Sequence, residues 1–131
     1  MTIRAIDHVN IATEHLEDTR AFFVDVLGLD EGERPPFASV GYWLYAGGRP
    51  IVHLQRSEGA VGPSAGSALN HFSFGVTDLD VLIDRLEQRG VSFRVAYVGG
   101  TTVRQVFLQD PNGVQLELTE RMDIAPGPGQ A

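Results

Sequence analysis

Two stretches of this 131-residue chain read almost alike. Ile6-Asp7-His8-Val9-Asn10-Ile11 and Leu69-Asn70-His71-Phe72-Ser73-Phe74 each set an apolar residue, Asp or Asn, and His ahead of an alternating run. Each leads into a helical stretch that stops at a glycine: about Leu16–Leu27 before Gly28, and about Leu79–Arg89 before Gly90. Glycine just past a helix is the expected left-handed cap. Asp78 is placed to cap the start of the second helix. Leu79, Leu82, Ile83 and Leu86 then form one apolar stripe at helical spacing. Two amphipathic strand–helix pairs could coincide by chance, but here the polar residues repeat along with the apolar ones. A repeat is therefore the first fact to build on.

Shorter strand-like runs complete each half. The first half has roughly Phe37–Tyr45 and Ile51–Gln55, with Ala46-Gly47-Gly48-Arg49-Pro50 as the turn between them. The second has Phe93–Val98, Val103–Leu108 and Val114–Thr119, with Asp110-Pro111-Asn112-Gly113 as its last turn. Each half reads as β-α-β-β-β. Repeat one spans about 4–56 and repeat two about 69–120; a Gly/Ser/Ala/Pro-rich connector, 57–68, joins them, and a Pro/Gly-rich tail over 121–131 is expected to be flexible. At this length the whole reads as a single α+β domain.

Composition removes several classes of function. There is no cysteine, hence no disulfide, thiolate metal site or cysteine nucleophile. The formal net charge is −7, all ten basic residues are Arg, and no run of like charge forms a nucleic-acid or membrane-surface patch. The N-terminus shows no apolar stretch with a cleavage site, and no segment approaches a transmembrane span, so a cytoplasmic location is expected.

Four polar residues recur at equivalent places. His8 lies 63 residues before His71, and His53 lies 64 before Glu117. They fall on the first and last strands of the two units. Strand alternation sets Ile6, His8 and Asn10 on one face, and likewise Ile51, His53 and Gln55. In the second unit His71 shares a face with Ser73, and Glu117 with Gln115 and Thr119. The opposite face of every strand is apolar. A repeat related by a two-fold axis would gather His8, His53, His71 and Glu117 around one point. Such a set suits a borderline divalent ion (Fe, Mn, Ni, Co or Zn) and, with His53 left out, matches the ligand set of non-haem Fe(II) oxygenases. His53 is read as a fourth ligand, with an acid/base or supporting group, or simple packing beside the site, as the alternatives. Asn10, Gln55, Ser73, Gln115 and Thr119 are candidates for orienting substrate, with ordinary strand lining as the plainer account. Phe37, Tyr42, Trp43 and Tyr45 are read as a pocket wall or as sheet packing. Arg34, Arg49 and Arg104 are read as solvated surface, with contact to an anionic substrate group as the alternative.

With these residues in place, the chain resembles the vicinal oxygen chelate superfamily of glyoxalases, bleomycin-resistance proteins and ring-cleaving dioxygenases. The resemblance covers roughly residues 4–119. It rests on Ile6-Asp7-His8-Val9, Phe22-Phe23 followed by Val26-Leu27-Gly28-Leu29, Val52-His53-Leu54, Asn70-His71, and Phe107-Leu108-Gln109-Asp110-Pro111-Asn112-Gly113 leading to Leu116-Glu117-Leu118. It implies a half-open mixed β-barrel of two βαβββ units with a divalent metal inside, held by His8, His71 and Glu117. Glyoxalase I-like members usually carry Glu at the fourth position and methylmalonyl-CoA epimerase-like members Gln; here it is His53, which leaves one ligand carboxylate. The expected function is a metal-dependent lyase or isomerase that chelates two neighbouring oxygens of a small molecule and stabilises an enediolate, with Glu117 or His53 moving the proton. An extradiol Fe(II) dioxygenase is the first alternative and a metal-free drug-binding protein the second. A homodimer is expected.

Overall fold

The computed structural model describes residues 2–121, and these form two compact units. The first comprises the described residues up to Pro63 together with Asp110–Gly113; the second comprises Ser64–Gln109 and the described residues from Val114 onward. Each holds one four-stranded mixed sheet with a helix, an α+β arrangement with the expected β-α-β-β-β order.

In the first unit β1 (Val9–Thr13) leads to helix α1 (Leu16–Ala21), then β2 (Asp30–Gly32), β3 (Gly41–Ala46) and β4 (Arg49–Arg56). The sheet order is β1-β4-β3-β2, with β1 parallel to β4 and the other neighbours antiparallel. Val52 and Leu54 of β4, Ile11 of β1 and Leu44 of β3 turn to one face, where α1 and the buried Phe22 and Phe23 complete the core. The helical stretch differs from a plain α-helix: Phe22–Val26 make a π-helical turn, in which the Leu27 N–H reaches back to the Phe22 carbonyl. Gly28 then ends it at φ 87°. The β3–β4 turn has Gly47 and Gly48 both at positive φ, the requirement of a type I′ hairpin.

The second unit repeats the topology with β5 (His71–Gly75), α2 (Leu79–Gln88), β6 (Arg94–Tyr97), β7 (Val103–Gln109) and β8 (Gln115–Arg121), in sheet order β5-β8-β7-β6. Leu79 and Leu86 of α2 are fully buried, as are Val106, Leu116 and Leu118 of the sheet. Asp78 sits at the head of α2, but its side chain does not cap it. It is in the left-handed conformation (φ 52°), and the Leu79 N–H donates instead to buried Glu120 Oε2 at 2.8 Å. Residues 57–70 carry neither helix nor strand. The tail expected over 121–131 lies outside the described residues except for Arg121, which closes β8. Among the described residues no helix is long and apolar enough to cross a membrane.

Candidate functional site

Strand register carries the repeat down to single residues. Asn10 of β1 pairs with His53 of β4, and Ser73 of β5 pairs with Glu117 of β8. On the other side His53 faces Trp43 of β3, and Glu117 faces Phe107 of β7. His71 opens the parallel edge strand β5 and His8 immediately precedes β1, each two residues before the pair. The face predicted to be polar is therefore the same face in both units.

The two histidines are oriented in the same way. His8 Nδ1 lies 2.7 Å from Asp7 Oδ1, and His71 Nδ1 lies 3.0 Å from Asn70 Oδ1. Both partner oxygens accept, so each Nδ1 donates its proton, which leaves Nε2 as the nitrogen that can serve a metal ion. Asn70 is held in turn by Gln115, whose Nε2 donates to the same Oδ1 at 3.0 Å. The hydrogen bond from His8 holds the Asp7 carboxyl below its ordinary pKa. An acceptor behind a histidine is the usual outer support of a metal-binding imidazole.

In the second unit His71 Nε2 lies 3.3 Å from Glu117 Oε2. Glu117 is buried, whereas the imidazole is half exposed. The other carboxylate oxygen, Oε1, accepts from Gln105 Nε2 at 3.2 Å, and the same amide reaches Thr119 Oγ1 at 3.2 Å. Thr119 is also 2.7 Å from Ser73 Oγ. Ser73 and Thr119 are thus tied into the hydrogen bonding around the carboxylate. Gln105 stood outside the sequence reading, yet it lies on the polar face opposite Thr119. Alternation along β7 is the signal that points to it.

In the first unit the rings of His8, His53 and Trp43 form a stack, with centroids 3.8 and 4.1 Å apart. His53 Nε2 is 3.0 Å from the Pro50 carbonyl, so this nitrogen donates and the lone pair lies on Nδ1. Burial, then the neighbouring His8, lowers the His53 pKa from its ordinary value. The stack borders a cavity of about 500 Å³ that Asn10, Gln55, Arg34 and Phe37 also line. Solvated surface does not describe Arg34 or Arg104. Arg34 donates to the Ser39 carbonyl and hydroxyl, and Arg104 bonds Asp80 and Glu120.

The donor set suits a divalent ion. Two donors about 2.1 Å from one ion and at right angles about it would stand about 3 Å apart, close to the His71–Glu117 separation. His8 offers an oriented Nε2 in the same sense. His53 offers only Nδ1 while it holds Pro50. Among the described residues no group of three or more His, Asp or Glu side chains stands ready around one point. The candidate ligands are instead placed as two pairs, one in each unit.

Residues 5–118 match the family model described as the Glyoxalase/Bleomycin resistance protein/Dioxygenase superfamily. The chain belongs to this superfamily. Within it, the chain is 29% identical over 123 residues to "Glyoxylase I 4" of Arabidopsis thaliana, covering 88% of this chain and 70% of that protein. It is 28% identical over 131 residues to a "Lactoylglutathione lyase" of Salmonella typhimurium, covering 93% and 96%. Among solved structures, a glyoxalase family protein from Enterococcus faecalis superposes with a TM-score of 0.72 at 28% identity, covering 92% and 100%.

Proposed function

We propose that this superfamily member is a metal-dependent lyase or isomerase of glyoxalase type, in which His8, His71 and Glu117 hold one divalent ion. The observation that carries the reading is the His71 Nε2–Glu117 Oε2 approach of 3.3 Å, with both histidines presenting Nε2 through an acceptor behind Nδ1. The bound ion would supply Lewis-acid polarisation of two neighbouring substrate oxygens. The residues around it do the rest. Asp7 and Asn70 fix the imidazole orientation, and Gln105 fixes the carboxylate. His53, neutral and with Nδ1 free, takes or returns a proton at the substrate carbon, or joins the ion as a fourth ligand. Asn10 and Gln55 reach substrate from the cavity wall, while Ser73 and Gln115 act through Glu117 and His71. The functional unit is a homodimer, as is common in the superfamily. The lyase relatives support this choice of chemistry.

The test is metal content and lactoylglutathione lyase activity after reconstitution with Mn, Ni, Co, Zn or Fe(II). About one equivalent per chain is expected, lost in His8→Ala, His71→Ala and Glu117→Ala. Protein that takes up none of these ions would refute the reading and leave a metal-free binding protein. One observation favours a second reading. Because His53 Nε2 is engaged with Pro50, the remaining set is two histidines and one carboxylate, that of ring-cleaving Fe(II) enzymes. Selective iron uptake with catechol consumption would establish that reading instead.

A further inference from the structure

The two units diverge at one pair of equivalent positions. Gly41 of β3 stands opposite Gln55, just as Gln105 of β7 stands opposite Thr119. In the second unit the Gln105 amide fills this place and donates to Glu117. In the first, position 41 has no side chain. A Cβ there would run into the Leu54 carbonyl oxygen and come within 2.9 Å of Arg34 Nη2. The Arg34 guanidinium occupies the room that an amide fills in the other unit. There the amide has a carboxylate to serve; here the equivalent of Glu117 is His53.

Among the described residues Arg34 is left with an unmatched charge. A guanidinium offers five N–H donors. Its Nη1 bonds the Ser39 carbonyl at 2.8 Å and its Nη2 the Ser39 hydroxyl at 3.1 Å. The buried Nε has no hydrogen-bond partner among the described residues. Among the described residues no carboxylate forms an ion pair with it. Arg20 and Arg104, by contrast, each pair with two. A partly buried cation without a counter-ion is unfavourable, and an anion from outside would relieve the deficit. The guanidinium carbon sits 5.0 Å from the Phe37 ring centre, and both residues line the cavity beside Trp43 and His53. A volume of about 500 Å³ suits a small organic ligand.

We propose that Arg34 is the anion subsite of this cavity, and that its ligand is a small organic acid. The oxyanion of that acid, carboxylate or phosphoryl, meets the Nη hydrogens that Ser39 leaves free, and its apolar body lies along Phe37 and Trp43. The assignment rests on reading the cavity as the substrate site, but not on the metal.

Trp43 is the only tryptophan in the chain, so its fluorescence reports on this cavity. The experiment titrates chelator-treated, dialysed protein with benzoate, phenylphosphonate and benzamide. At least one anion is expected to give a saturable change at about tenfold lower concentration than neutral benzamide, as for one charge-assisted pair in a half-buried site. The tighter anion identifies the headgroup. Arg34→Gln should abolish the preference and Arg34→Lys retain part of it. Ser39→Ala loosens the loop contact but keeps the charge, so it should retain the preference. Equal response to benzoate, phenylphosphonate and benzamide, no saturable response to either anion, a preference surviving in Arg34→Gln, or equal losses in Ser39→Ala and Arg34→Gln would each overturn the assignment. Because no metal is present, failure of metal binding leaves this result untouched.

Discussion

Replacing Gln105 by Leu tests the proposed centre without touching any ligand. The side chains are close in size, so the change removes two donated hydrogen bonds and little else. Thr119 keeps its 2.7 Å bond to Ser73, so the loss falls chiefly on Glu117. A hydrogen bond to a charged group contributes about 1.5–3 kcal/mol, and at 3.2 Å this one belongs at the weak end. About 1.5 kcal/mol of lost orientation corresponds to roughly tenfold weaker metal binding. That is the lower edge of the range usual for outer supports of a ligand. Competition against a chromophoric chelator would read the affinity. Urea unfolding of the metal-free protein would show separately what the same bond contributes to stability. Metal affinity within about twofold of the parent, in a background where Glu117→Ala loses the metal, would refute the claim that Gln105 aims the carboxylate.

Asn70→Leu removes the acceptor behind His71 and should weaken metal binding about tenfold or more by the same competition assay. Gly41→Ala forces a methyl against the Leu54 carbonyl; a loss of about 1–3 kcal/mol in urea unfolding is expected, whereas no change would mean the strand yields freely. Glu120→Ala strips the Leu79 N–H of its partner and takes one carboxylate from Arg104, for about 3 kcal/mol of destabilisation by the same method. Arg104 retains Asp80, so a much larger loss would contradict this account.

The repeat was legible because it is written twice, in polar as well as apolar residues, and period-two alternation then assigned faces that the strand register bears out. Strand β2 was not legible. Its three residues, Asp30-Glu31-Gly32, are all exposed and carry no alternation, so only pairing with β3 makes them a strand. Capping by Asp78 failed for a similar reason. A residue 41 positions away supplies the acceptor, and local sequence cannot show it. The partners behind His8 and His71 were visible as residues but not as a device, since the role of Asp7 and Asn70 depends on the direction their side chains take. Arg34 and Arg104 read as surface because charge at a loop or strand is usually solvated. What distinguishes them is a glycine that leaves room beside the guanidinium in one case and a buried glutamate in the other.

The β7–β8 turn has a consequence for how the chain reaches its native state. Asp110–Gly113 groups with the first unit, where Asn112 bonds both Thr13, 99 residues earlier in the chain, and Thr19. Both threonines are fully buried. A nascent chain that has emerged only as far as Pro63 has every strand of its first sheet but lacks the amide that completes the hydrogen bonding of these hydroxyls. Contacts this distant in sequence close late and slow the final step. The amino-terminal half is therefore expected to wait, incompletely locked, until the last hairpin has been made.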